Sequence, residues 1–468
     1  MANTSSKRSH VASSLVSFEL AKQTDPGLTS FAGLPLLIET WHALGLPKVV
    51  ERELRLKKYR RGPTEAEWAE VLTLLPLAGG KTLEDIAVLK EDSGLARLWP
   101  VLAKLSPRSA LDFLERFHDP NQPGSTAGHA VIRDETPALQ ALAKVNRHLV
   151  HEVARRATLA EATIDVDASV HECRKRTALP CYEGPRAYQP VIAVWAELDL
   201  IVADQFRDGN VPAGMGNLPF VRTAIENLPS QITVRRVRGD SALYEQNLLA
   251  YLDDNQIEFG ISADMSRELR AAIEELPKSA WQVFRDRDGV VREDGRFWAE
   301  VPFVPEDRRP KGSRPFRYLA IRLPQQKELF DDPPTKFVAL VSNRESMNGN
   351  ELINWHREKC GTVEYEHDLL KNDLAARVFP SGKYGVNAAW YRFNILAHNL
   401  KVACARVALD GPEWVRMRPS TFNFRWVRRA GRVISHARTL FLVLSSMSAG
   451  MIPLYEAARA KLVQLVST

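Results

Sequence analysis

The chain has 468 residues, 45% apolar and 26% charged, with 63 Lys and Arg against 57 Asp and Glu and a net charge of +6. That composition supplies a large core over about two to four domains, and it excludes a disordered, collagen-like or disulfide-scaffold chain. Cys173, Cys181, Cys360 and Cys404 have no C-x-x-C spacing, which argues for reduced thiols in a cytoplasmic compartment and against zinc at His171, Cys173 and Cys181.

Residues 1–25 are small and polar, lack the apolar centre of a secretory signal, and read as a disordered tail. From 26 to 158 apolar positions recur at helical spacing in LPLLIETWHALGL, EAEWAEVLTLLPLA, TLEDIAVLKED and SALDFLERFH, with Pro and Gly between them. This predicts an all-helical N-terminal domain. Within it Arg52, Arg55, Lys57, Lys58, Arg60 and Arg61 crowd around Tyr59, a cluster that suits either a DNA backbone or a solvated helix face. Gly80-Lys81-Thr82 imitates the end of a phosphate-binding loop, but Leu75 stands where the motif needs its first glycine. Gly79-Gly80 reads instead as a helix end and Thr82 to Asp85 as a cap, so no nucleotide cofactor is expected.

The period changes to two at Thr163-Ile164-Asp165-Val166-Asp167, which places Asp165 and Asp167 on one face of a strand. PVIAVWAEL and DLIVADQF follow as a hairpin, then a helix at LPFVRTAIENL and a strand, ITVRRVRGD, that ends on Asp240. The helix SALYEQNLLAYLDDNQ and the strand IEFGIS complete a first core segment, 159–263. Parallel strands joined by helices set their C-terminal ends side by side, so acids distant in sequence can share a site.

Residues 264–346 have a different texture: one helix, SRELRAAIEEL, then strand candidates VFRDRDG, VREDGRFWAEVPFV, FRYLAIRL and KFVALVSN. They read as a β-rich insertion domain. The core resumes over 347–410 with a helix expected from about Asn350 through Lys371; Val363, Leu370 and Leu374 form its apolar stripe, with Glu364 and Lys371 at the edge. His367, one turn from Glu364, reads as a structural histidine. The basic segment 411–468 interleaves Arg416, Arg418, Arg425, Arg428, Arg429, Arg432 and Arg438 with Phe422, Phe424 and Trp426. Guanidinium groups bind phosphate and rings stack on bases; the plain alternative is a packed hairpin or helix with the aromatics in its core. The apolar run from Leu440 to Tyr455 is too short and mixed to span a bilayer, so no membrane partner is expected.

Asp167-Ala168-Ser169, Arg238-Gly239-Asp240-Ser241, and Glu364 with Lys371 seven positions on together resemble the acidic motifs of the DDE transposases of bacterial insertion sequences. The similar subgroup has a β-rich insertion before its catalytic glutamate, and its signature reads Tyr, two residues, Arg, three residues, Glu, six residues, Lys. Arg357 and Cys360 stand at the Tyr and Arg positions here, a departure that leaves Arg357 or Lys359 to take the missing arginine's place on phosphate.

The resemblance implies an α/β fold: an RNase-H-like catalytic core, a mixed sheet flanked by helices, interrupted by the insertion and preceded by the helical domain. It implies that Asp167, Asp240 and Glu364 are catalytic and hold two Mg²⁺ ions, or Mn²⁺ in their place, with Asp165 a rival to Asp167 as first acid. DNA-binding residues would be Lys371, Arg357, Lys359, Arg238, Arg425, Trp426, Arg428 and Arg429. Expected partners are double-stranded DNA, as terminal inverted repeats and as target, and a second copy in a homodimeric synaptic complex on the bacterial nucleoid. Cleavage at the transposon end would be followed by attack of the freed 3′ hydroxyl on target DNA. A nuclease that cuts without joining and an inactive DNA-binding protein are the alternatives.

Overall fold

In the computed structural model, residues 23–57, 62–291, 295–305, 315–323, 336–409 and 411–467 are described. Residues 1–22 of the tail expected over 1–25, and Lys58, Tyr59, Arg60 and Arg61 of the basic cluster, lie outside the described residues.

The strand Glu161–Ala168 (β1) is the spine of the core because Ala162 to Val166 are buried on both faces. Val191–Trp195 (β2) and Leu200–Gln205 (β3) form the expected hairpin, turning at Asp199, whose φ of 55° is the left-handed conformation that aspartate tolerates in tight turns. Thr233–Gly239 (β4) lies parallel to β1, and Glu258–Ala263 (β5) parallel to β4. The helices Asn217–Glu226 and Gln246–Asp254 connect them. This is the mixed α/β core that the alternating periods predict.

The strands of the insertion do not form a sheet of their own. Gln282–Val283 (β6), Phe297–Val301 (β7), Arg317–Arg322 (β8) and Phe337–Ser342 (β9) extend the core sheet to nine strands among the described residues, in the order β6-β7-β8-β9-β5-β4-β1-β2-β3. The junction is antiparallel, from Ala339 opposite Ala263 to Ser342 opposite Gly260. Such pairing leaves no local signal, since an edge accepts any strand whose faces match.

The helix Tyr384–Cys404 is buried along all 21 residues. Its polar side chains find partners from distant segments: Asn399 bonds the backbone of Ile201 and the amide of Asn146, and Arg392 reaches Asp204, Glu135 and the carbonyl of Leu139. The N-terminal helices Leu34–Ala43, Glu65–Leu77 and Pro137–Ala154 pack on this helix, so the textural boundary near residue 158 falls inside one continuous apolar core. Near Gly80 it is the Asp85 carboxylate, not Thr82, that caps, accepting from the amides of Lys81 and Thr82 at 2.7 and 2.9 Å.

The C-terminal segment returns to the N-terminal helices. Gly431–His436 (β10) and Thr439–Leu444 (β11) form a hairpin that pairs with Leu28–Thr29, and the helix Ile452–Ser467 packs on Leu34–Ala43. Trp426 corrects an expectation here. It is 0% exposed, donates from Nε1 to the Gly33 carbonyl at 3.1 Å and stacks on Tyr455, so its ring is core and cannot stack on a base. Trp426→Ala should cost about 3–5 kcal/mol of unfolding free energy, the usual result of emptying a large aromatic site, as measured by urea denaturation. Among the described residues no helix is long and apolar enough to cross a membrane.

Candidate active site

Parallel pairing of β1 with β4 sets Val166 opposite Gly239, so Asp167 and Asp240 follow at the same level where the two strands end. The Asp240 carboxylate accepts from the Ala242 amide at 3.0 Å, which fixes its side chain at the start of a short 3₁₀ turn.

The third acid arrives on a broken helix. The single helix expected from Asn350 to Lys371 is four pieces: Gly349–Arg357, a 3₁₀ turn Glu358–Gly361, the helix Val363–Asp368, and a π turn Leu369–Asp373. Thr362, at φ −123° and ψ −97°, makes the break. Tertiary ties explain it. Arg238 donates to the Trp355 carbonyl and to Glu358, both at 2.7 Å, His356 donates from Nε2 to the Gly239 carbonyl at 3.0 Å, and the Thr362 hydroxyl bonds the Asp165 carboxylate. On the far side of the break His367 donates from Nε2 to the Asp167 carbonyl at 3.2 Å. These bonds pull the segment onto the ends of β1 and β4 and turn Glu364 toward the two aspartates.

Burial and charge act together on the three carboxylates. Burial pushes Asp167 up to about 7, and the charges of Asp240 and Glu364 add to the shift while Lys359 opposes it. Asp240 is raised for the same leading reason, burial, with Glu364 contributing. Glu364 goes the other way: burial would raise it, but the hydrogen bond and charge of Lys359, 2.5 Å away, together hold it below the ordinary range. Burial lowers Lys371, whose Nζ donates to the Ser169 hydroxyl at 2.5 Å and whose charge acts on Asp167.

The structure also separates the rival aspartates. Asp165 is 0% exposed, and its two oxygens accept from Arg238 Nε and Nη2 at 2.7 and 2.9 Å. Both of its oxygens are engaged inside the protein, whereas Asp167 faces like charge. Arg238 is corrected with it: at 2% exposure its guanidinium is spent inside the protein, tying β4 to Asp165 and Glu358. Arg357 is half-buried with its guanidinium over the Phe284 ring. Arg425 and Arg428 are exposed beside Phe424, which is 75% exposed, and Arg429 is half-buried. A cavity of about 1150 Å³ lies beside the segment that carries Glu364 and is lined by Arg238, Arg357, Cys360, Thr362, Tyr365 and Arg416 among others; none of the three acids lines it.

Among the described residues no group of three or more acidic, histidine or cysteine side chains stands close enough to hold a metal ion as placed; the Lys359 ammonium supplies the positive charge. The donor set nevertheless fits a divalent cation. Its donors are the hard carboxylate oxygens such a cation prefers, and two of the three resist ionisation because burial, with like charge added, disfavours their anions. The residues not foreseen from sequence are the ties His356, Glu358 and Thr362. Each acts through a partner more than a hundred positions away, so none had a local signature.

A mixed sheet flanked by helices, with acids at the ends of adjacent parallel strands and a glutamate on a helical segment beside them, defines an RNase-H-like α/β protein. The family model described as transposase DDE domain group 1 matches residues 21–467. The chain belongs to this family and is a DDE transposase, an enzyme of DNA recombination. Among solved structures, the cryo-EM structure of a piggyBac transposase synaptic complex with hairpin DNA is similar at 11% identity, covering 85% of this chain and 80% of that one with a TM-score of 0.43. That likeness is too remote to transfer the role of any residue. No curated protein matches the sequence.

Proposed function

We propose that this transposase cuts DNA at the terminal inverted repeats of a bacterial insertion sequence and joins the freed 3′ ends to target DNA, with Asp167, Asp240 and Glu364 as the catalytic metal ligands. The observation that carries this reading is the set of three carboxylates gathered from β1, β4 and a broken helix, two of them held up by burial and mutual charge. Two Mg²⁺ ions, or Mn²⁺, would supply Lewis-acid activation of the attacking oxygen and charge stabilisation of the leaving one. Asp167 and Asp240 hold their side chains at rigid strand ends, Asp240 through its bond to the Ala242 amide. Glu364 closes the third side. Positioning of this kind supplies most of the acceleration in phosphoryl transfer.

Lys371 places an ammonium beside Ser169, next to the first acid, where a DNA phosphate would lie. Lys371→Met should weaken binding of terminal-repeat DNA about uniformly across sequences and lower the slope of log affinity against log salt by about 1, as read by fluorescence anisotropy over a salt series. Arg357, Arg425, Arg428 and Arg429 extend the basic track. The functional complex is a homodimer on two DNA ends, in the bacterial cytoplasm at the nucleoid. The test is a joining assay: a pre-cut terminal repeat with a free 3′ hydroxyl is supplied with Mg²⁺ and a target plasmid. Joined product is expected; cutting of intact ends without any joining would reassign the protein as a nuclease.

A further inference from the structure

Lys359 is an unusual neighbour for a metal site. It sits in the 3₁₀ turn Glu358–Gly361, is 6% exposed, and its Nζ donates to Glu364 Oε1 at 2.5 Å. Its charge also acts on Asp167 and Asp240. The ammonium therefore occupies one of the three carboxylates that a divalent cation would need, and its charge reaches the other two. A buried ammonium is tolerated only where opposite charge compensates its lost hydration, and here the acids and the lysine account for each other.

The backbone of the turn does not depend on that contact. Arg238 holds the Trp355 carbonyl and Glu358, the Thr362 hydroxyl holds Asp165, and His356 holds the Gly239 carbonyl. The lysine head can leave while these ties keep the turn in place. Glu364, with its side chain 42% exposed, stands at the mouth of the site, so the head has a short way out. A divalent cation and an ammonium cannot share the position, because their repulsion in a partly desolvated site is strong.

We propose that Lys359 is a displaceable internal counter-ion: its ammonium holds the Glu364 carboxylate in the metal-free protein and swings outward when a divalent cation binds. This rests on the reading of those three acids as a metal site. Two properties follow. The acids stay gathered without metal, and cation affinity is set by competition with the lysine. The expelled head then points toward the DNA phosphate that the cation engages, the place left by the cysteine at position 360.

The test is a calorimetric titration of MnCl₂ into the full-length, DNA-free protein. Lys359→Met should bind Mn²⁺ about tenfold or more tighter than wild type, because a competing charge has been removed; equal or weaker binding overturns the proposal. A second measurement uses wild type alone, in case the variant folds poorly. Acetylation of Lys359 by an N-hydroxysuccinimide ester, read by mass spectrometry, should be slow without cation and faster with Mg²⁺. An unchanged rate at saturating Mg²⁺ overturns it. Asp167→Asn separates the two levels of inference. If wild type binds Mn²⁺ and Asp167→Asn does not, the metal site stands and the lysine result judges the counter-ion alone; if wild type and Asp167→Asn titrate identically, the metal-site reading falls and the counter-ion with it.

Discussion

Asp167→Asn, Asp240→Asn and Glu364→Gln should each reduce cleavage of terminal-repeat DNA by about a thousandfold or more, since removing one ligand oxygen forfeits several kcal/mol of transition-state stabilisation at about 1.4 kcal/mol per tenfold. The stability effects should split the set. Asp167 and Asp240 are pushed up by burial and by like charge, so their amides relieve a cost and should melt at or above the wild-type temperature. Glu364→Gln breaks the pair with Lys359, leaves a buried ammonium without its main partner and should melt lower. Cleavage within tenfold of wild type in Asp167→Asn, with Asp165→Asn dead and folded, would move the first acid to position 165. The geometry argues against that outcome, because Asp165 is spent on Arg238 and Thr362.

Arg392→Met should be strongly destabilising, at about 3–5 kcal/mol. Arg392 is 2% exposed in the middle of the buried helix and donates to Asp204 at 2.8 and 2.9 Å, to Glu135 at 2.6 Å and to the Leu139 carbonyl at 2.6 Å. Removing it strands the Asp204 carboxylate, whose side chain is 4% exposed. Arg392→Met combined with Asp204→Asn should recover part of the loss, because the amide does not carry the stranded charge. Urea denaturation of the two variants checks both statements. A loss under about 1 kcal/mol would mean that the network is open to solvent and that the packing of the N-terminal helices on this one is loose.

Much of the core could be read from local pattern. Strand period, the Asp199 turn and the helices between β3 and β5 depend on side chains within a few positions of one another, and the acids at the ends of β1 and β4 came with them. The family resemblance rested on those acids, on Glu364 and on Lys371, and the family match bears out the transposase assignment. The helix that carries Glu364 was harder. Its apolar stripe is regular, yet Arg238, His356 and Thr362 break it by bonding to the sheet. Periodicity cannot register a bond to a strand elsewhere in the chain.

By itself, then, the sequence determined the alternation of strands and helices, the order of the acids and the presence of basic tracts, because these follow from local spacing and composition. Tertiary structure decided which of two same-face aspartates is tied to Arg238, that Trp426 and Arg238 are interior groups, that the insertion strands continue the core sheet, and that Lys359 pairs with Glu364. Each of those outcomes depends on burial and on partners brought from distant segments. Desolvation makes such partners obligatory for a polar group, but which partner arrives is settled only when the chain has closed on itself.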